Sequence, residues 1–397
     1  MPSSGSRVTL SLCALAALSE GFDTQSMGVA APHLVAEFAL STSQSTLIFS
    51  STTLGLFVGA AVGGRLADLL GRKRTLVVSL LLFGIFSITT ALMTGPLSFM
   101  AVRLLTGLGL GGAMPNFIAL ASESTSEARR VSIVTLIMAA MPFGGAIAAL
   151  VALGAQAGWG WRTIFYVGGI FPVLLSGLMA AFLPETRRPV PHAAEVQGPA
   201  SVGSALFGGQ RAATTLLLWV GFFFTQLVLL LMLNWLPTLM VGLGYTRSQA
   251  SWAAVCFNLG GSLGAGFLGR LHAGARRAPW VATTYGAIAL ALTAVSAVGK
   301  SYAFAAVACA VAGVFIIGAQ LILFALAPLY YPRSIRGTGV GVSVSMGRLG
   351  SVVGPLFAGA LLAGGGGSAT VLLGILPFVV IGGAAAFALA FRSPCIE

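Results

Sequence analysis

Charge is scarce in this chain. Only 8% of its 397 residues are Asp, Glu, Lys or Arg, the acids number nine, and 57% of residues are hydrophobic. A water-soluble domain of this length needs far more charge to cover its surface, so that class is excluded. Cysteine is also rare: Cys13, Cys256, Cys309 and Cys395 are scattered, with no CxxC or Cys/His spacing. That pattern supports neither a disulfide framework nor a zinc site. The three histidines, His33, His192 and His272, stand clear of the centres of the apolar runs, and no HExxH, GxSxG or paired-His pattern occurs. A membrane enzyme would need such a cluster, so no enzyme activity, metal or cofactor is expected.

What is present is apolar and rich in glycine, with 53 Gly and a mean hydropathy of +0.97. Glycine is frequent in membrane helices because it lets backbones approach closely. Apolar runs at 8–31, 44–64, 75–94, 97–121, 131–154, 163–183, 213–240, 247–268, 279–298, 302–326, 338–362 and 368–391 are each long enough to cross a bilayer. The expected fold is an all-α membrane protein of about twelve transmembrane helices. The first run is too long and too acidic for a cleavable signal peptide. The one long polar stretch, "PETRRPVPHAAEVQGPASVGSALFGGQR", divides the chain into an N-terminal bundle (1–186), a linker (187–212) and a C-terminal bundle (213–397).

The basic residues set an orientation. With the N-terminus inside, sixteen of the 21 Lys and Arg fall in cytoplasmic segments, only Arg162, Arg247 and Lys300 fall outside, and Arg103 and Arg348 lie within spans. That bias follows the positive-inside rule and places both termini in the cytoplasm, in a cell (inner) membrane. The surplus of positive charge is thereby assigned to topology, and no nucleic-acid partner is expected. "LGLFVGAAVGGRL" from Leu54 recurs as "LGGSLGAGFLGRL" from Leu259, a constant offset of 205 residues. Gly55, Gly59, Gly64, Arg65 and Leu66 thus align with Gly260, Gly264, Gly269, Arg270 and Leu271. Two six-helix pseudo-symmetric halves in parallel repeat describe a carrier that alternates access around a central site.

Three motifs carry a resemblance. "GGRLADLLGRKR", with Gly64, Asp68, Gly71, Arg72, Lys73 and Arg74, resembles the G-x-x-x-D-x-x-G-R-K/R loop of the major facilitator superfamily. "RLLTGLGLGG" resembles that superfamily's R-x-x-x-G-x-G motif in the fourth span, and "LPET" its usual ending of the first half. Within the superfamily, "EGFDTQSMGVAAPHL" resembles the D/E-G-x-D element of aromatic acid:proton symporters; "GLGLGGAMPNFIALASE", "NWLPTLM" and "GRLGSVVGPLFAG" resemble a branch of that family that takes 3-(3-hydroxyphenyl)propionate. The resemblance implies proton-coupled uptake of an aromatic carboxylate, with protons and the lipid bilayer as the other partners, by a carrier that functions as a monomer. It also implies a gating loop of Gly64, Asp68, Gly71 and Arg72, in which Asp68 latches the halves near the start of the eleventh span. A solvated surface acid is the simpler alternative. The second loop copy, "GRLHAGARR", has Ala273 where Asp68 aligns, and "MPFGGAIAAL" lacks the full antiporter element, which leans towards symport. Another organic anion, or efflux, is the alternative function.

The charges inside the spans define the candidate site. Glu20 and Asp23 lie one helical turn apart and face the same side of a helix. Helix rise places Asp23 and Arg103 both ~9–12 Å below the outer surface. Two like charges that close favour binding of a proton by the pair, which a proton-coupled carrier needs. Glu20, Asp23 and Arg103 are therefore the expected proton-coupling group; a static ion pair that fixes helix packing is the alternative. Arg348 sits about ten residues into the eleventh span, and an arriving carboxylate is a natural bidentate partner for its guanidinium. Pairing with backbone carbonyls is its alternative. The aromatic half of a substrate needs ring-compatible walls, for which Phe22 and Trp235 are candidates, and polar anchors, for which Asn116, Gln226, Asn234, Asn258 and Gln320 are candidates. Each of these is also readable as ordinary packing.

Overall fold

The computed structural model describes residues 4–155, 158, 160–183, 206–208, 211–271, 277–297, 301–331 and 336–392. Among them every regular element is helical. The order is α1 (Ser4–Phe38), α2 (Thr42–Leu70), α3 (Arg72–Thr90), α4 (Pro96–Glu123), α5 (Glu127–Gly154), α6 (Arg162–Phe182), α7 (Ala212–Gly242), α8 (Arg247–Leu271), α9 (Arg277–Ala297), α10 (Tyr302–Leu326) and α11 (Arg336–Ala363). A last spanning stretch is broken into α12 (Ser368–Gly374) and α13 (Leu376–Ala390).

Among the described residues nine helices are long and apolar enough to cross a membrane. α1, 35 residues long, carries Arg7, Glu20, Asp23 and Glu37 along its length. Leu97, Leu136, Leu263 and Leu290 are each more than two-thirds exposed, which suits contact with lipid rather than water. Prolines sit inside α1, α4, α5, α6, α7 and α11. Such breaks are tolerated in membrane helices, where neighbouring groups satisfy the freed carbonyls.

Local chemistry sets the helix ends. Ser41 and Gln44 form a reciprocal capping box that starts α2. Pro96 stands in the first turn of α4, where its missing N–H costs nothing. Gly71 separates α2 from α3 at φ +92°, a backbone shape that favours glycine. This is the glycine of the loop motif, and its place there has a conformational cause.

The chain folds as two compact units, Met1–Val190 with Leu233–Ser262, and Pro191–Met232 with Leu263–Glu397. In the first unit α2 and α4 meet backbone to backbone. A Cβ on Gly59 would lie 2.1 Å from the Leu108 carbonyl oxygen, and one on Gly107 would lie 2.0 Å from that of Thr52. In the second unit a Cβ on Gly264 would lie 2.4 Å from the Val314 carbonyl oxygen. Gly59 and Gly264 are repeat partners, so the same close approach recurs between α8 and α10. The linker read at 187–212 lies almost wholly outside the described residues.

Candidate functional site

The fixed point of the site is an ion pair in the first unit. Asp23 on α1 and Arg103 on α4 are 0% and 1% exposed. Arg103 Nη1 donates to Asp23 Oδ1 at 2.9 Å and Nη2 to Oδ2 at 2.8 Å, a bidentate pair that fixes orientation as well as charge. The third guanidinium direction is used too: Nε donates to Thr52 Oγ1 on α2 at 3.1 Å. The Ser87 hydroxyl on α3 reaches Asp23 Oδ1 at 3.4 Å, and the Arg103 guanidinium lies 5.9 Å from the centre of the Phe165 ring on α6. Five helices therefore converge on one buried pair.

The spacing of the fourth-span motif has a mechanical reason. Gly107, one turn beyond Arg103, has no side chain to hold off the Thr52 carbonyl. The α2 backbone can then come near enough for the Thr52 hydroxyl to meet the Arg103 Nε. Glu20 lies one turn before Asp23 and is 2% exposed. Phe22 is 4% exposed, and its ring fills the space beside Gly168 on α6.

A second polar cluster in this unit joins α1 to α7 and α8. Asn258 Nδ2 donates to Gln25 Oε1 at 2.8 Å and to its own Ala254 carbonyl at 2.9 Å, while Gln25 Nε2 donates to the Leu233 carbonyl at 3.1 Å. Gly28 and Gly145 make room for this seam: Cβ atoms there would lie 2.4 Å from the Leu233 oxygen and 2.3 Å from Asn258 Oδ1. Trp235 packs edge-on to Phe49, with centroids 5.1 Å apart, and its Nε1 is buried with no hydrogen-bond partner among the described residues. Asn234 is buried nearby in sequence, and Asn116 on α4 is buried with its amide on the Gly112 carbonyl.

The second unit holds Arg348, half-buried on α11, with Gln226 on α7 and Gln320 on α10. Gly350, just beyond Arg348, sits against α7, where a Cβ would lie 2.0 Å from the Phe223 carbonyl oxygen. Of the loop motif, Arg72 pairs with Glu123 at the end of α4. Gly64 and Asp68 fall in the last turns of α2, and their side-chain positions lie outside the described residues. The far end of α1 carries a surface cluster. Glu37 accepts from Trp161 Nε1 at 2.5 Å and Arg162 Nη2 at 2.9 Å, and these bonds hold its carboxyl below the usual range. His33 is also lowered, by burial first and by the nearby Arg247 charge.

Sequence reasoning overlooked Thr52, Ser87 and Gln25. A signal existed for each, since polar side chains inside apolar spans are costly to bury without a partner. The sequence holds too many Ser and Thr in spans to single out two, because most bond their own helix, as Thr46 and Thr106 do.

An all-helical membrane protein with a buried carboxylate–guanidinium pair between spans is the build of a secondary transporter. The chain matches the Major Facilitator Superfamily over residues 13–355 and belongs to it. It is 42% identical to the 3-(3-hydroxy-phenyl)propionate transporter of Escherichia coli, over all of this chain and 98% of that one. It is 32% identical to the gallate transporter of Pseudomonas putida, over 89% of this chain and 85% of the relative. Among solved structures it is similar to the D-xylose-proton symporter, with a TM-score of 0.74 and 18% identity over 98% of both chains. A nucleoside transporter, NupG, superposes with a TM-score of 0.78 at 14% identity, over 97% of this chain and all of that one. Both structures share the fold. The protein is a secondary carrier rather than an enzyme.

Proposed function

We propose that the protein imports an aromatic carboxylate, 3-(3-hydroxyphenyl)propionate or a near analogue, together with a proton, across the inner membrane. The halves 1–186 and 213–397, joined by 187–212, alternate access around the site, with both termini cytoplasmic and a single chain sufficient. The observation that carries this reading is the buried Asp23–Arg103 pair with Glu20 one turn away. Arg103 commits both terminal nitrogens to Asp23, so one cation offsets one of two carboxylates. The second, Glu20, takes and releases the coupling proton. Arg348 receives the substrate carboxylate. One bound proton then compensates one bound anion, and the loaded carrier reorients without moving uncompensated charge. Asp68 and Arg72 belong to the cytoplasmic latch in this reading. The names of the relatives support the substrate class.

The test is uptake into proteoliposomes under an imposed inward proton gradient, with labelled 3-(3-hydroxyphenyl)propionate and a panel of benzoates and aliphatic acids. Glu20→Gln should still exchange substrate across the membrane but lose gradient-driven accumulation. Accumulation that persists in Glu20→Gln would remove Glu20 from the coupling step. Indifference to every aromatic acid would sink the substrate.

A further inference from the structure

Two glutamines in the second unit are placed by a ring contact. Successive spanning helices alternate direction, so α7 and α10 run antiparallel. Phe222 on α7 meets Phe324 on α10 with ring centroids 5.3 Å apart, which puts those two positions at one level. Gln226 is one turn beyond Phe222, and Gln320 is one turn before Phe324. In antiparallel helices both steps lead the same way. The i, i+4 spacing keeps each amide on the face of its phenylalanine. The two glutamines therefore lie at one level on neighbouring helices.

Gln320 is 6% exposed, and the Oε1 atoms of both Gln320 and Gln226 are buried with no hydrogen-bond partner among the described residues. Buried side-chain acceptors are normally satisfied, and two at one level call for an explanation. A ligand that donates would satisfy them. Arg348 supplies a second coordinate. On α11, which runs parallel to α7, Gly350 faces the Phe223 carbonyl and Gly354 faces that of Leu227. Arg348 is then offset from Gln226 by roughly 7 Å along the axis, at ~1.5 Å per residue. That offset is comparable with the length of a hydroxyphenyl carboxylate.

We propose that Gln226 and Gln320 form a subsite that selects ring-hydroxylated substrates, their Oε1 atoms sharing the single phenolic O–H in a three-centre hydrogen bond while Arg348 holds the carboxylate. The proposal rests on the aromatic-carboxylate reading above. A neutral acceptor pair recognises a donor, so it favours a hydroxyl over hydrogen and gains nothing from an ether. A site built to bond a substrate hydroxyl leaves its own groups unpaired when an analogue lacks one, and this discriminates strongly.

The experiment compares binding of 3-(3-hydroxyphenyl)propionate, 3-(3-methoxyphenyl)propionate and 3-phenylpropionate to the full-length protein in lipid nanodiscs. Wild type should bind the hydroxylated acid about tenfold tighter than the other two, the effect of one lost neutral hydrogen bond. Gln226→Leu and Gln320→Leu should each lower that ratio and the double variant should bring it close to one, with 3-phenylpropionate affinity kept within about twofold. Equal affinity for the methoxy and hydroxy acids overturns the subsite, and this readout needs no variant. An unchanged ratio in both leucine variants overturns it as well. Binding of none of the three acids by wild type removes the aromatic-carboxylate reading and the subsite with it, an outcome distinct from a flat ratio.

Discussion

The two halves share a repeat but put different chemistry at matching places. In the first, α1 and α4 meet through Asp23 and Arg103, fully buried and bidentate. The 205-residue offset carries Glu20, Asp23 and Arg103 onto Thr225, Val228 and Ala308, all neutral. There Thr225 bonds the Tyr285 hydroxyl at 2.7 Å, a neutral contact between α7 and α9. Backbone packing follows the repeat, as Gly59 and Gly264 demonstrate, while buried charge does not. A duplicated scaffold can keep its helix contacts and still place different buried polar chemistry at matching positions, because close packing depends on small residues and pairing on a few long side chains.

The sharpest break of this contrast is Asp23→Asn against Thr225→Val. The first leaves the Arg103 cation buried without its carboxylate, and losing one partner of a buried pair costs ~3–5 kcal/mol. Transport should be abolished and thermal unfolding in detergent should come many degrees earlier. The second removes a neutral hydrogen bond worth about 1 kcal/mol, with uptake largely kept. Equal effects on the two sides would erase the asymmetry.

A smaller effect tests the shared part. Gly59→Ala and Gly264→Ala each place a methyl within van der Waals overlap of the facing helix backbone. Each should destabilise by about 1–3 kcal/mol, the usual range for overpacking, and by similar amounts in a thermal melt. Damage in only one of them would mean that the two interfaces are not equivalent.

The smallest effect lies at the surface of the first half, where Glu37 is held by Trp161 and Arg162. Its carboxyl is lowered from 4.5 in the folded protein, by the Trp161 bond first. A depressed acid contributes stability above its unfolded value, and that contribution is lost as pH falls through the folded value. Glu37→Gln should therefore melt slightly earlier than wild type at neutral pH, with the gap closing as pH drops below 4.5. The pair is well exposed, so the difference is slight.

Much of the fold could be read directly. All twelve apolar runs overlap helices of the structure, because a span must satisfy its own backbone and so becomes helical wherever it is long and apolar. The break between α12 and α13 is not visible in "SATVLLGILPFVV" except through Pro377. Of the site, the spacing of Glu20 and Asp23 established a common helix face and no more. Helix rise set Arg103 level with Asp23 and Glu20 one turn deeper, but depth alone does not establish a contact.

Scarcity of charge, apolar runs and the glycine-marked repeat by themselves determined an all-helical membrane carrier, because the bilayer admits few ways to bury a backbone. Tertiary structure decided that Arg103 grips Asp23 through both terminal nitrogens, that Gln25 bonds Asn258, and that Phe222 and Phe324 meet and so bring Gln226 and Gln320 to one level. These facts depend on the rotation and depth of one helix against another. Those are set by contacts such as Gly107 on Thr52 and Phe222 on Phe324, between residues far apart in the chain.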